Sequence, residues 1–315
     1  MLSQHLPTWL VSWIAAYFSG RRQRVLYNRM PTAWKDVIAG VIQGSVLGPI
    51  LFLLFSLSIN DYVPPGVCLL KYADDILIYC TGIFDPSLLQ QATDGVQAWC
   101  VRYKMRLNIK KCKVLSSGYR NCHPTILIDG IALEPVDTYK YLGIDLNITL
   151  DPSQQWNRVY SQVCSLIPLL RKLQRVGWDT EMLLSAYRAY GLSHLTYSAV
   201  VLMSCTAVEK AEMTSFQNRA LRVIGISQDL ATSSHNISPI TDLIDDICQR
   251  IFNRIIADPT HPVTASLTVN ERSKKYVVPS ARTTTYINSF LVTHLRMLCN
   301  DGRSDLYTNS NASLP

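Results

Sequence analysis

No Cys-x-x-Cys pair occurs in this sequence, and its nine cysteines (68, 80, 100, 112, 122, 164, 205, 248 and 299) are scattered and odd in number. Such an unpatterned set argues against both a disulfide framework and a zinc site. It points instead to a reducing, intracellular setting, cytoplasmic or nuclear. A secretory leader is not apparent, because Trp-rich apolar residues come first and the arginines follow them. There is no internal repeat. Acidic charge is short: 23 Asp and Glu stand against 30 Lys and Arg, and the formal net charge of +7 suits a polyanionic partner without proving one. What the chain does have is apolar mass. Of 315 residues, 48% are hydrophobic, enough for a sizeable core and for two domains.

One long run, 37–59, carries no charge and follows five basic residues, so by length alone it is a candidate membrane span. Its interior argues otherwise. Gly40, Gln43, Gly44, Gly48, Pro49 and three serines divide it into an alternating piece, a loop and a helix expected over 50–59. Gly-Ser-Val-Leu-Gly-Pro is loop chemistry, in which small residues let another backbone or a ligand come close.

The stretch 66–80 organises the rest. Two β-prone apolar runs, 67–72 and 76–79, flank the adjacent acids Asp74 and Asp75, which reads as a hairpin with carboxylates at its tip. Two neighbouring carboxylates call for a compensating cation, and Mg²⁺ is the hard ion that carboxylates on a rigid scaffold hold, usually with substrate phosphates completing its shell. An ordinary Asp-Asp turn between two strands has the same appearance.

Upstream, apolar spacing predicts a helix over 5–18 with Thr8 as N-cap and Gly20 as its stop. Arg21-Arg22-Gln23-Arg24-Val25-Leu26-Tyr27 fits either a strand with an exposed basic face or a solvated charge run. Downstream, 86–107 reads as an amphipathic helix with Leu88, Leu89, Ala92, Val96 and Trp99 on its apolar stripe and Arg102, Lys104 and Arg106 at its end. A basic turn, 108–113, leads into a strand, and β-prone pieces follow over 125–133 and 139–146. After Pro152 the pattern becomes helical, in about five segments over 153–256, and the last sixty residues are Thr-, Ser- and Asn-rich with little periodicity.

A Gln-Gly-Ser-x-x-Gly-Pro loop, Tyr-Ala-Asp-Asp, a basic Asn-x-x-Lys turn and Tyr-Leu-Gly occur in that order. This order resembles the palm of reverse transcriptases, specifically those of non-LTR (LINE-type) retrotransposons. The likeness extends over 153–256 and the stretch from Arg282-Thr283 to Asn288-Ser289-Phe290. The resemblance implies an α+β fold. A partial palm, an antiparallel sheet backed by helices, would occupy 1–150; an all-helical thumb-like domain, 151–256; an irregular C-terminal tail, 257–315. It implies an RNA-directed DNA polymerase, a nucleotidyltransferase, with an RNA template, a DNA primer or RNA–DNA hybrid and dNTPs as partners, and Mg²⁺ in a two-metal site.

By the same resemblance Asp74 and Asp75 hold the metal, Asp74 being the surer ligand. Gln43 and Gly44, with Ser45 and Tyr72, bind template and incoming nucleotide, although Ile42 stands where the family usually has Pro. Lys111 neutralises the triphosphate or donates a proton to pyrophosphate, a role for which Lys110 and Lys113 compete. Tyr141, Leu142 and Gly143 form the primer grip. The family takes a further catalytic Asp from a strand upstream of the opening helix, and the only acid before Gln43 is Asp36, too close to the loop to serve. The sequence is therefore expected to start just after the first catalytic motif, to hold metal weakly and not to polymerise alone. No endonuclease, ribonuclease H or zinc-knuckle sequence is visible. Two other readings stay open: a catalytically dead remnant that grips nucleic acid through Arg21, Arg22, Arg24, the 102–113 cluster and the arginines after residue 153, and a membrane protein anchored through 37–59.

Overall fold

The computed structural model describes residues 7–80, 85–117, 124–270, 272, 275–280 and 283–300; Cys122, Arg282 and the final stretch 301–315 of the expected tail lie outside the described residues. The chain forms two compact units, one of 1–114 with 124–135, the other of 115–123 with 136–315.

The first unit opens with helix α1 (Thr8–Phe18), then four two-residue strands, β1 (Arg22–Gln23), β2 (Leu26–Tyr27), β3 (Met30–Pro31) and β4 (Lys35–Asp36), before helix α2 (Leu47–Ser56) and a 3₁₀ turn (Leu57–Tyr62). The hairpin β5 (Cys68–Tyr72) and β6 (Asp75–Tyr79) follows, then helix α3 (Pro86–Arg102), a 3₁₀ turn (Ile109–Lys111), β7 (Lys113–Val114), β8 (Leu127–Ile128), β9 (Ile131–Ala132) and β10 (Glu134–Pro135). Its core is small. Ile59, Val96, Trp99 and Cys100 are buried, with Tyr62, Leu69, Ile76, Ile78 and Tyr103 packed around them. The Trp99 indole donates to Ser58 Oγ at 3.0 Å, which satisfies the one polar atom that this large side chain carries inward.

The second unit carries the hairpin β11 (Thr138–Tyr141) and β12 (Ile144–Asn147), then helices α4 (Ser153–Cys164), α5 (Leu166–Arg175) and α6 (Thr180–Ala186). A π-helical turn (Tyr187–Leu192) runs into α7 (Ser193–Tyr197) and α8 (Ala199–Leu202). Helices α9 (Ala207–Ile224), α10 (Gln228–His235), α11 (Ile240–Ala257), α12 (Pro262–Ser266), α13 (Thr284–Ile287) and α14 (Phe290–Asn300) complete it. One continuous core runs from Trp156 through Leu170, Tyr187 and Phe216 to Cys248. Local rules fix the ends: Thr206 and Glu209 form a reciprocal capping box on α9, and Gly225 closes it at φ +92°.

The chain is thus mixed helix and sheet, as the α+β expectation has it, but the strands do not form one sheet. Six separate two-stranded ladders occur among the described residues, five antiparallel and one parallel (β7 with β10). Turn positions at positive φ (Asn28-Arg29, Ala73, Asp129-Gly130, Leu142-Gly143) fold each β-prone run straight back on its neighbour.

Boundaries also shift. Pro7, not Thr8, caps α1, because its carbonyl accepts from the Leu10 and Val11 amides. Leu47-Gly48-Pro49 is the first turn of α2 instead of loop, and that helix ends at Ser56 instead of 59. Helix α3 ends at Arg102 instead of 107: Lys104 adopts φ +56°, and the Lys104 and Met105 amides donate back to the Val101 and Cys100 carbonyls. Within 257–315, expected to be irregular, α14 buries Val292, Leu295 and Leu298, apolar residues whose helical spacing was diluted by polar neighbours. No helix among the described residues is long and apolar enough to cross a membrane, and the eight cysteines described there are free thiols.

Candidate functional site

Asp74 and Asp75 lie at the end of the β5–β6 hairpin, as a two-residue turn demands: Ala73 and Asp74 make the turn, Ala73 at φ +52°, and Asp75 opens β6 opposite Tyr72. Strand alternation then sorts the faces. Leu69, Ile76 and Ile78 pack toward Trp99, while the other face carries Leu70, Tyr72, Asp75 and Leu77. Both carboxylates are exposed, and Tyr72 shows 65% of its surface. The hairpin is fastened from below. Lys71 Nζ donates to the Ser56 carbonyl at 2.6 Å, the amine being partly buried, and burial pushes its pKa below the usual lysine value.

The Gln43-Gly44 turn is a separate element preceding α2. Gly44 has φ +78°, Gln43 and Gly44 are exposed, and the Ser45 amide donates to the Ile42 carbonyl. Ser45 turns inward to the loop itself. Its hydroxyl accepts from Tyr17 Oη at 3.0 Å and from the Gly48 amide at 3.0 Å, and donates to the Ile42 carbonyl at 2.7 Å. Those three bonds exhaust the hydroxyl, so it braces the turn. Gly48 has no room for more: a Cβ there would meet both Ile42 O and Ser45 Oγ at 3.0 Å.

Of the three competing lysines, Lys113 forms an ion pair with Glu134, whereas Lys110 and Lys111 ride an exposed 3₁₀ turn. In the second unit, Tyr141 ends β11 and Leu142-Gly143 form the turn, both at positive φ (+47° and +79°). The Tyr197 hydroxyl donates to the Leu142 carbonyl at 2.6 Å. Arg158 donates to the Gly143 carbonyl and pairs through Nε with Asp145 at 2.5 Å. Gln155, itself buried, accepts from Arg158 and from the Asp145 amide and donates to buried Ser198 at 2.9 Å. This polar lattice immobilises the Tyr141–Gly143 turn.

The structure therefore brings Tyr72, Asp74 and Asp75 together on one hairpin end, and Gln43, Gly44 and Ser45 together on one turn. Reading the sequence missed the residues that position them: Lys71, Tyr17, Arg158 and Tyr197. Only Lys71 left a signal, as a lone cation inside an apolar strand. Two exposed carboxylates are a hard oxygen donor set that suits Mg²⁺ if phosphate oxygens complete its shell. Among the described residues no group of three or more His, Cys, Asp or Glu side chains gathers to hold a metal without such help.

Against known proteins, residues 2–146 match the family model described as reverse transcriptase (RNA-dependent DNA polymerase). The chain is 33% identical over 152 residues to the RNA-directed DNA polymerase from mobile element jockey of Drosophila funebris, covering 45% of this chain and 16% of that protein. It is 29% identical over 160 residues to the probable RNA-directed DNA polymerase from transposon X-element of Drosophila melanogaster, covering 46% and 17%. A probable RNA-directed DNA polymerase from transposon BS of the same species is 32% identical over 147 residues, covering 42% and 16%. The matched region spans less than a fifth of each of these relatives. The family that the four ordered motifs resemble is the one found: residues 2–146, just under half of this chain, match the reverse transcriptases, and the relatives named are polymerases of mobile elements of the non-LTR type.

Proposed function

We propose that this region performs RNA-templated DNA synthesis for a non-LTR retroelement, with 1–150 as part of the palm, 151–256 as a thumb-like domain and the hairpin tip at Asp74-Asp75 as its metal-binding element. The observation that carries this reading is the tip itself: adjacent, exposed carboxylates on a hairpin whose other face is anchored by Lys71 and the Trp99 core. In this reading a primer 3′-hydroxyl attacks the α-phosphate of a dNTP and pyrophosphate leaves. Asp74 and Asp75 would hold Mg²⁺. When bound, that ion neutralises phosphate charge and lowers the pKa of the attacking hydroxyl, the usual two-metal role.

The protein's own groups have distinct tasks. Gln43 and the Gly44 backbone present donors and an open surface to template and nucleotide, and Ser45 acts behind them by holding the turn. Tyr72 offers its exposed ring next to Asp75. Lys111, on the exposed turn it shares with Lys110, meets the triphosphate. The Tyr141–Gly143 turn, fixed by Arg158 and Tyr197, contacts the primer strand.

Two carboxylates without a third ligand bind Mg²⁺ weakly, so polymerisation by this polypeptide alone is expected to fall below detection. Titration of Mn²⁺ with dNTP, read by water-proton relaxation, tests the metal site. Binding that depends on dNTP and disappears in the Asp74→Asn/Asp75→Asn variant supports the reading, and identical binding in that variant overturns it. Primer extension on an RNA template tests the inactivity. Clear extension with Mg²⁺, lost in Asp74→Ala, would show that this chain suffices.

A further inference from the structure

The ribbon between α1 and α2 has no part in the Asp74-Asp75 site, yet it is basic and exposed along its whole length. Its two ladders share one hairpin. Leu26↔Pro31 and Tyr27↔Met30 pair near the tip, and Arg22↔Asp36 and Gln23↔Lys35 pair near the base. The register slips by one residue between them, so that Arg24 faces both Ala33 and Trp34. That is a bulge, which twists a ribbon and turns a side chain outward. Every residue from 22 to 36 is exposed, and none joins a core cluster.

Charge is one-sided along it. Over 21–36 there are five cations (Arg21, Arg22, Arg24, Arg29 and Lys35) and one carboxylate, Asp36. Arg21 is tied down, donating to the Phe18 and Gly40 carbonyls at 3.2 and 2.8 Å. Arg22 makes a long, exposed pair with Asp36 at 3.5 Å, which water largely screens. Aromatic rings stand among the cations. The Arg24 guanidinium lies 4.6 Å and that of Arg22 5.9 Å from the Trp34 ring centroid, while Trp34 keeps 49% and Tyr27 73% of its surface open. Arg29 sits at the tip at φ +65°. The Tyr27 ring and the part of the Trp34 ring that the guanidiniums leave exposed lie among these cations, and phosphate-binding charge interleaved with aromatic surface is the chemistry that single-stranded nucleic acid recognises.

We infer that the 22–36 ribbon is a metal-independent contact for single-stranded nucleic acid, with Arg22, Arg24, Arg29 and Lys35 on phosphates and bases stacking on Trp34 and Tyr27. It requires neither carboxylate of the hairpin tip, so it stands or falls apart from the polymerase reading.

The test is fluorescence anisotropy with a short, labelled single-stranded RNA of mixed sequence, in EDTA, across a potassium chloride series. Arg22→Gln/Arg24→Gln/Arg29→Gln/Lys35→Gln is expected to weaken binding at least about tenfold and to lower the salt slope by about 0.7 for each phosphate contact removed. Trp34→Ala is expected to cost about tenfold, and Trp34→Phe to restore most of it. Unchanged circular dichroism in each variant, expected because these side chains touch no core, shows that binding and not folding is lost. Wild-type affinity and slope in the quadruple variant overturn the inference. So does unchanged binding in Trp34→Ala, or a duplex RNA bound as tightly as the single strand. Charge-dependent binding to phosphatidylserine vesicles with no loss of RNA binding in the quadruple variant overturns it in favour of a membrane surface.

Discussion

A single buried ring shows how residue chemistry sets a solution property. His294 is 2% exposed, stacked 5.1 Å from Phe252, and its Nδ1 is 2.8 Å from the Phe290 carbonyl. Burial pulls its pKa below 6.5, the Phe290 carbonyl and the more distant Asp245 opposing it only in part. The sign follows from proton counting. Below 6.5 the unfolded chain binds a proton that the folded chain refuses, so stability falls as pH drops from 6.5 toward the lowered folded value. Urea denaturation at pH 7 and pH 5 should show the protein weaker at pH 5, and the His294→Met variant should lose that part of the difference. An equal difference in the variant would place the effect elsewhere. Sequence alone could not reveal this, because nothing in Thr-His-Leu says that the helix turns its histidine inward. The Asp74-Asp75 pair was legible for the opposite reason: polar residues between two apolar runs have one place to go, and the hairpin register exposes them.

Among the elements, α3 is the clearest case of a helix shaped by its neighbour. Asp85 caps it by accepting from the Ser87 amide at 2.8 Å, and Thr93, Val96 and Trp99 fill its buried face. Gly95 lies in mid-helix, where it would ordinarily cost about 1 kcal/mol relative to Ala. It is there because the Tyr62 carbonyl, at the end of the 3₁₀ turn, comes so close that a Cβ would lie 1.9 Å from its oxygen. Gly95→Ala should therefore destabilise by about 1–3 kcal/mol despite its better propensity, since backbone must move to admit the methyl. A lower urea midpoint, with altered fluorescence as Trp99 loses Ser58, is the expected result; a raised midpoint would refute the close approach. The apolar stripe of α3 could be read from the sequence, but its glycine could not, because its partner lies 33 positions earlier along the chain. The same holds for the Leu142-Gly143 turn: Tyr-Leu-Gly marks a bend, yet Arg158 and Tyr197 that fix it belong to helices with no shared motif.

At the scale of the whole molecule, the two units differ in how much apolar surface they bury. Periodicity revealed the helical half because α4, α5, α9 and α11 each carry a regular inward stripe, and together these bury one core from Trp156 to Cys248. The single palm sheet came from the family resemblance and not from periodicity, and six short ladders stand among the described residues, since alternation shows where strands form but not which strands pair. Among the described residues the first unit's buried cluster holds four, and its two-stranded ladders have open edges. Val46, Ile50, Leu53 and Leu57, which share one side of α2 and the turns that flank it, are all exposed. A two-stranded hairpin is marginal without further cover, and a small core opposes little of the conformational entropy gained on opening. Hydrogen exchange should then divide along the same line. Amides of α5, α9 and α11 are expected to exchange slowest, those of 22–36 and 68–79 to exchange early, and added urea to release the second group while the first stays protected. A common rate for both groups at every urea concentration would mean that the chain opens as one cooperative body. In that case the four-residue cluster around Trp99 would be stabilised by more than the packing of its own neighbours.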